Sequence, residues 1–161
     1  KNNFTYCNYR IYSSQMVGYE KKQKMRQIKQ LIVHCSATRE GQDISVDTIK
    51  KWHVEDRGWS DIGYHFYIDI NGRVEKGRDI AKIGAHCKGK NRNSIGICYC
   101  GGVEADGKTP KDTRTEDQKK SLRILIKTLK SLFPQAVVHS HNDFANKACP
   151  SFNATEEYKN I

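Results

Sequence analysis

Three side chains in this sequence have the types and positions to share a metal ion. His34 sits near the end of an apolar, β-branched run, Leu31-Ile32-Val33-His34-Cys35; His141 lies just past a second run, Ala136-Val137-Val138-His139; Cys149 follows eight residues later. Strand ends and the loops beyond them are where an α/β sheet exposes functional groups. Two imidazoles and a thiolate form a three-ligand catalytic zinc set, which leaves a fourth position for water. On spacing alone the plainer alternative is favoured, namely ordinary turn or core histidines and a buried thiol. No His-Glu-x-x-His arrangement occurs, so the general base of that metalloprotease class is missing. Cys-x-x-Cys is also absent, which removes zinc-ribbon and thioredoxin-like chemistry.

The elements that would position these groups can be read from periodicity. Besides the two runs above, Tyr64 to Ile70 reads as a strand leading into Asn71-Gly72, a two-residue hairpin signal, and back through Arg73-Val74-Glu75. Ser94 to Cys100 reads as a further buried strand. Ser45 can cap a helix through about Glu55, with Asp47 in its first turn and Val46, Ile49, Trp52 and His53 on the inner side. Trp52 and Trp59 then read as core or helix-anchoring aromatics. The clearest helix opens at Thr115 with Gln118 three residues on, a capping box, and stops before Pro134. Leu122, Leu125, Ile126, Leu129 and Leu132 line its apolar face. Strands interleaved with helices and one hairpin imply an α/β (α+β) fold, a single domain with a central mixed β-sheet flanked by helices.

At 161 residues the chain is the size of one domain, and a net charge of +10 suggests an anionic partner. Half of that charge, +5, falls in residues 1–26, a Lys-, Asn- and Tyr-rich stretch without clean periodicity. We therefore expect a basic N-terminal extension over 1–26, which could be leader-derived, and a body over 27–161. No apolar run approaches the length of a membrane span or a signal-peptide core, so membrane insertion is not expected. The expected site of synthesis is the cytoplasm. The six cysteines show no framework spacing; Cys98 and Cys100, two apart on a strand, read as small buried hydrophobes.

The text around the candidate ligands is more specific than their spacing. His34-Cys35-Ser36-Ala37-Thr38, Arg57-Gly58-Trp59 with Asp61-Ile62-Gly63-Tyr64-His65-Phe66, Gly84-Ala85-His86, Asn93-Ser94-Ile95-Gly96-Ile97 and Lys147-Ala148-Cys149-Pro150-Ser151-Phe152 occur in this order. Together they closely resemble the type-2 N-acetylmuramoyl-L-alanine amidases, a family that includes T-odd bacteriophage lysozymes and, more distantly, peptidoglycan recognition proteins. The resemblance covers about residues 29–153 and excludes the basic head.

That resemblance implies one zinc ion held by His34, His141 and Cys149, with Tyr64 and Lys147 as catalytic side chains and His86 and Asn93 as substrate contacts. It also implies peptidoglycan as the partner and hydrolysis of the amide joining N-acetylmuramic acid to L-alanine, in phage or prophage lysis. The wall would be reached through a membrane lesion or a secretion system made by another protein. His65, by alternation opposite Tyr64, reads as structural, and His53 as packing. After Glu75-Lys76-Gly77-Arg78 the chain has Asp79-Ile80 where many diaminopimelate-preferring relatives have Gly-Trp, which leaves the stem-peptide preference open. The rival on the same fold is a non-catalytic peptidoglycan-binding or RNA-polymerase-inhibiting module. It predicts loss of a ligand, Tyr64 or Lys147, and none is lost; nothing in the sequence supports an RNA polymerase partner. Nucleic-acid binding rests on charge alone and is not expected.

Overall fold

The computed structural model describes residues 25–161. The basic head up to residue 24 lies outside the described residues. Seven strands follow in chain order: β1 (Gln30–Cys35), β2 (Thr38–Arg39), β3 (Phe66–Ile68), β4 (Val74–Lys76), β5 (Ser94–Tyr99), β6 (Gly102–Val103) and β7 (Val137–Ser140). Three α-helices accompany them: α1 (Val46–Lys51), α2 (Glu116–Leu132) and α3 (Ala154–Glu157). Five strands make a mixed sheet in the order β4-β3-β5-β1-β7, parallel except for β4, and β2 pairs with β6 beside it. Among the described residues no helix is long and apolar enough to cross a membrane.

Because β1 and β5 are covered on both faces, their residues are apolar almost throughout, as parallel strands between two layers must be. One face carries Leu31, Val33, Ile95, Ile97, Phe66 and Ile68 and packs on Leu122, Leu125, Ile126 and Leu129 of α2. Each of those helix side chains contributes roughly 2 kcal/mol of burial. The helix begins where its cap chemistry says it should: Thr115 accepts from the Gln118 N–H, and the Gln118 side chain accepts from the Thr115 N–H. The opposite face holds Tyr67, Cys98 and Cys100 with Ile49 of α1 and Ile62. His34 registers with Cys98, and Cys98 with Tyr67, so alternation puts His34 on this second face. The face away from α2 is therefore the one that carries polar chemistry.

Three local expectations change. The first helix is α-helical only to Lys51 and then widens into a π-turn, Trp52–Asp56. The wider turn changes the helical phase, so His53 stays buried while Trp52, expected inside, is 37% exposed. The hairpin uses a three-residue loop, not a two-residue one. The Asp69 N–H donates to the Arg73 carbonyl, and the Asp69 carboxylate accepts from the Asn71 and Arg73 N–H groups. Gly72 then takes the left-handed position (φ +79°) that such a loop requires. Finally, Arg26, grouped by its charge with the head, is stitched to the body. Its guanidinium donates to the carbonyls of Ile80, Asn91, Arg92 and Ser94, and Met25 packs against the core. Met25 and Arg26 thus belong with the body.

Candidate active site

Parallel pairing of neighbouring strands brings the two histidines together. Val33 of β1 registers with Ser140 of β7, so the next residues, His34 still within β1 and His141 just past β7, come side by side at the same end of the sheet. Their ring centroids are 4.4 Å apart. After His141 the chain makes a 3-10 turn, His141–Asp143, and folds back so that the Asn142 N–H donates to the Cys149 carbonyl. That return delivers the thiol: the Cys35 N–H donates to Cys149 Sγ at 3.3 Å. One donor atom from each of His34, His141 and Cys149 lies within 4.8 Å of the other two.

The donor set can be tested against a metal on its own geometry. His34 Nδ1 stands 3.8 Å from Cys149 Sγ. Nitrogen and sulfur bound tetrahedrally to one zinc, at about 2.0 and 2.3 Å, would be about 3.5 Å apart. His141 Nδ1 is buried and has no hydrogen-bond partner. An orphaned buried nitrogen costs about 1–3 kcal/mol unless something satisfies it. Burial, with the charges of His86, His141 and Lys147 added, holds His34 well below its ordinary value; burial and then Lys147 lower His141. Both rings are therefore neutral at pH 7, as metal ligands must be. The Cys149 thiol is pushed up by its pairing with Cys35 and by burial, so a thiolate there calls for a cation opposite it. The residues present fit a zinc ion.

The remaining expected site residues fall into two groups. Tyr64, entering β3, lies with its ring centroid 5.2 Å from that of His34, and burial raises its phenol well above the ordinary value. Lys147 is exposed on the loop between His141 and Cys149, near enough for its charge to act on both histidines. His86 reaches His34 directly: its Nδ1 is 3.0 Å from His34 Nε2, and its Nε2 is 3.1 Å from Ser94 Oγ. Both its polar atoms are thus engaged within the protein. Asn93 is not brought to the cluster. It ends the turn before β5, its side-chain amide donates to the Gln27 carbonyl, and it lies five positions before Cys98, the register partner of His34, which is about 16 Å of strand. Its amide is anchored at the far end of the sheet, where it secures the segment that leads into β1.

His65 and His53 are buried and neutral, each lowered to about 4 chiefly by burial, and each ring accepts a backbone N–H, from Gly96 and Gly63 respectively. The five described cysteines are free. Periodicity did not single out Ser94 or Arg114. Alternation along Ser94-Ile95-Gly96 held the signal for the first, since it places a hydroxyl and a gap on the His34 face. Arg114 carried no local signal. Buried near the chain end, it binds Asp112, Glu157 and Tyr158 and lies over the Phe152 ring, anchoring the segment that follows Cys149.

Imidazoles and a thiol are thus gathered at one end of a parallel-centred sheet, with the exposed Lys147 on the adjoining loop, in a cluster that could hold a metal ion. Comparison with known proteins gives the family. A family model described as N-acetylmuramoyl-L-alanine amidase matches residues 24–152. The endolysin of Escherichia phage T7 is 47% identical over 123 residues, 76% of this chain and 80% of that protein. The endolysin of Enterobacteria phage K11 is 44% identical over 130 residues, 81% and 85%. Among solved structures, the N-acetylmuramoyl-L-alanine amidase LysC from Clostridium intestinale superposes with a TM-score of 0.69 at 27% identity, covering 82% of each chain. Drosophila PGRP-LB shares the fold, with a TM-score of 0.68 at 22% identity over 86% of this chain and 84% of that one. The chain belongs to the N-acetylmuramoyl-L-alanine amidase family, and it is a peptidoglycan amidase.

Proposed function

We propose that this enzyme is a zinc-dependent endolysin of phage or prophage origin that cleaves the bond between the lactyl carbonyl of N-acetylmuramic acid and L-alanine. The observation that carries the reading is the unpartnered His141 Nδ1, buried beside His34 Nδ1 and Cys149 Sγ. When bound by these three residues, zinc supplies Lewis acidity that polarises the scissile carbonyl and brings a water's pKa down towards about 7. The protein's part is to hold three ligands rigidly and leave one side open. The Lys147 ammonium, on the loop that carries two of the ligands, stabilises the negative charge that develops on the carbonyl oxygen. Tyr64 keeps its proton at neutral pH and so acts as a hydrogen-bond donor that orients the attacking water or the carbonyl, not as a base. The catalytic body includes Arg26, whose guanidinium is bonded into it, and the basic head is an extension to that body.

Digestion of purified sacculi tests this reading. The protein should release soluble muropeptides with new L-alanine N-termini, lose the activity to a chelator and regain it with zinc. Cys149→Ser and His141→Ala should lower stoichiometric zinc binding and activity together, and Lys147→Ala should lower activity by about a hundredfold with zinc retained. Release of reducing sugar ends without new amino termini, or full activity in the chelated protein, would refute it.

A further inference from the structure

His86 has both ring nitrogens engaged inside the protein, and the fold makes a slot to hold it. A Cβ on Gly96 would come within 2.5 Å of the His86 ring, and one on Gly84 within 2.7 Å of it. Two backbone segments therefore close on the imidazole with no room for a side chain between. The ring meets His34 edge-on, with centroids 5.0 Å apart and planes at 87°, and its far nitrogen meets the hydroxyl of fully buried Ser94.

We propose that His86 is a positioning residue for the metal centre: it accepts the Nε2 proton of His34, passes the polarity on to Ser94, and so fixes His34 with Nδ1 facing Cys149 and His141. The direction of the chain follows from valence. If His34 Nδ1 is to donate its lone pair to an ion, the one proton of the neutral ring is on Nε2. His86 Nδ1 must then be an acceptor, its own proton sits on Nε2, and Ser94 Oγ accepts it. The opposite order would place a proton on His34 Nδ1, on the side facing Cys149 Sγ, and would block ligation. A second imidazole thus does what a carboxylate or carbonyl does behind other metal-bound histidines, and loss of such partners typically costs 10- to 100-fold in metal affinity. The proposal rests on the zinc reading given above.

Zinc titration against a competing chromophoric chelator tests it, with the unfolding midpoint of each metal-free protein measured alongside. His86→Leu should weaken zinc binding 10- to 100-fold. His86→Asn, whose amide oxygen can occupy the place of Nδ1, should recover most of that loss, whereas His86→Gln, whose amide reaches only the place of Nε2, should not. The Asn and Gln variants carry the test if the Leu variant does not fold. Equal zinc affinity in His86→Gln and wild type overturns the proposal. So does a rise in KM for sacculi with zinc affinity unchanged, which would make His86 a substrate contact, and so does equal weakening in the Asn and Gln variants with matching falls in midpoint. If wild-type protein binds no zinc, the zinc reading falls and takes this one with it. If wild type binds one zinc and the Leu and Gln variants bind it as tightly, only the role of His86 is lost.

Discussion

Replacing Arg114 with leucine should be among the most damaging single changes outside the His34–His141–Cys149 cluster. Its side chain is only 3% exposed, and all five of its N–H groups are used. Two go to Asp112 at 2.9 Å each, two to Glu157 at 3.1 and 2.8 Å, and one to the Tyr158 hydroxyl at 3.0 Å, while the Phe152 ring centroid lies 3.2 Å from the guanidinium carbon. Removing one partner of a buried ion pair costs roughly 3–5 kcal/mol. Asp112 and Glu157 keep 34% and 38% of their side chains exposed, so they rehydrate in the variant and the lower end of that range applies. Loss of the stacking on Phe152 adds about 1 kcal/mol. The sum, about 4 kcal/mol, is a large share of a typical stability of roughly 5–15 kcal/mol and corresponds to a fall in Tm of about 10 °C. Urea unfolding of wild type, Arg114→Leu, Glu157→Gln and the double variant at pH 7 would measure it. Strong non-additivity is expected, because the Glu157 change should cost little once Arg114 is gone. A loss below about 1 kcal/mol, or additivity within about 0.5 kcal/mol, would show that the clasp is a weak surface pair after all. Because Phe152 follows Cys149 by three residues, zinc affinity should fall in the same variant at temperatures where it remains folded.

Further outcomes follow from the same geometry. His53 and His65 are depressed from an ordinary 6.5 to about 4 in the folded protein. The unfolded chain therefore takes up protons first, so their stabilisation is complete above about pH 6.5 and is lost as pH falls towards 4, by up to about 3 kcal/mol per ring. Urea midpoints across that range should fall steeply in wild type and less so in His53→Gln; a flat profile would contradict the burial argument. Gly72→Ala forces a left-handed alanine whose Cβ would sit 2.7 Å from the Asp117 backbone at the start of α2. It should cost more than about 1 kcal/mol in urea unfolding, without changing zinc affinity. Ile126→Ala, at a fully buried position on α2, should cost roughly 2–5 kcal/mol by the same assay, and a smaller loss would mean that the core closes over the cavity.

Short-range order was legible in the sequence. The Thr115–Gln118 capping box and the Leu122, Leu125, Ile126, Leu129 stripe are relations between residues a few positions apart, and they specified α2 and its buried face. The two-residue spacing of Cys98 and Cys100 on a strand likewise put them on one face as small buried groups. The motif text went further and picked out three candidate ligands, His34, His141 and Cys149, which the fold gathers within 4.8 Å of one another although they are far apart along the chain. The tertiary structure alone decided what depends on register between strands and on the path of loops. Parallel pairing of β1 with β7 sets His34 beside His141 and leaves a buried nitrogen without a partner. Two glycines from separate segments close on the His86 ring, which meets His34, and the start of β5 holds Asn93 at the other end of the sheet. Arg114 had no neighbour in the sequence that revealed its role, since its stacked ring and one of its carboxylates come from the far end of the chain. Periodicity and capping are settled by consecutive residues; the hydrogen-bond direction at a metal ligand is settled by groups that only folding makes adjacent.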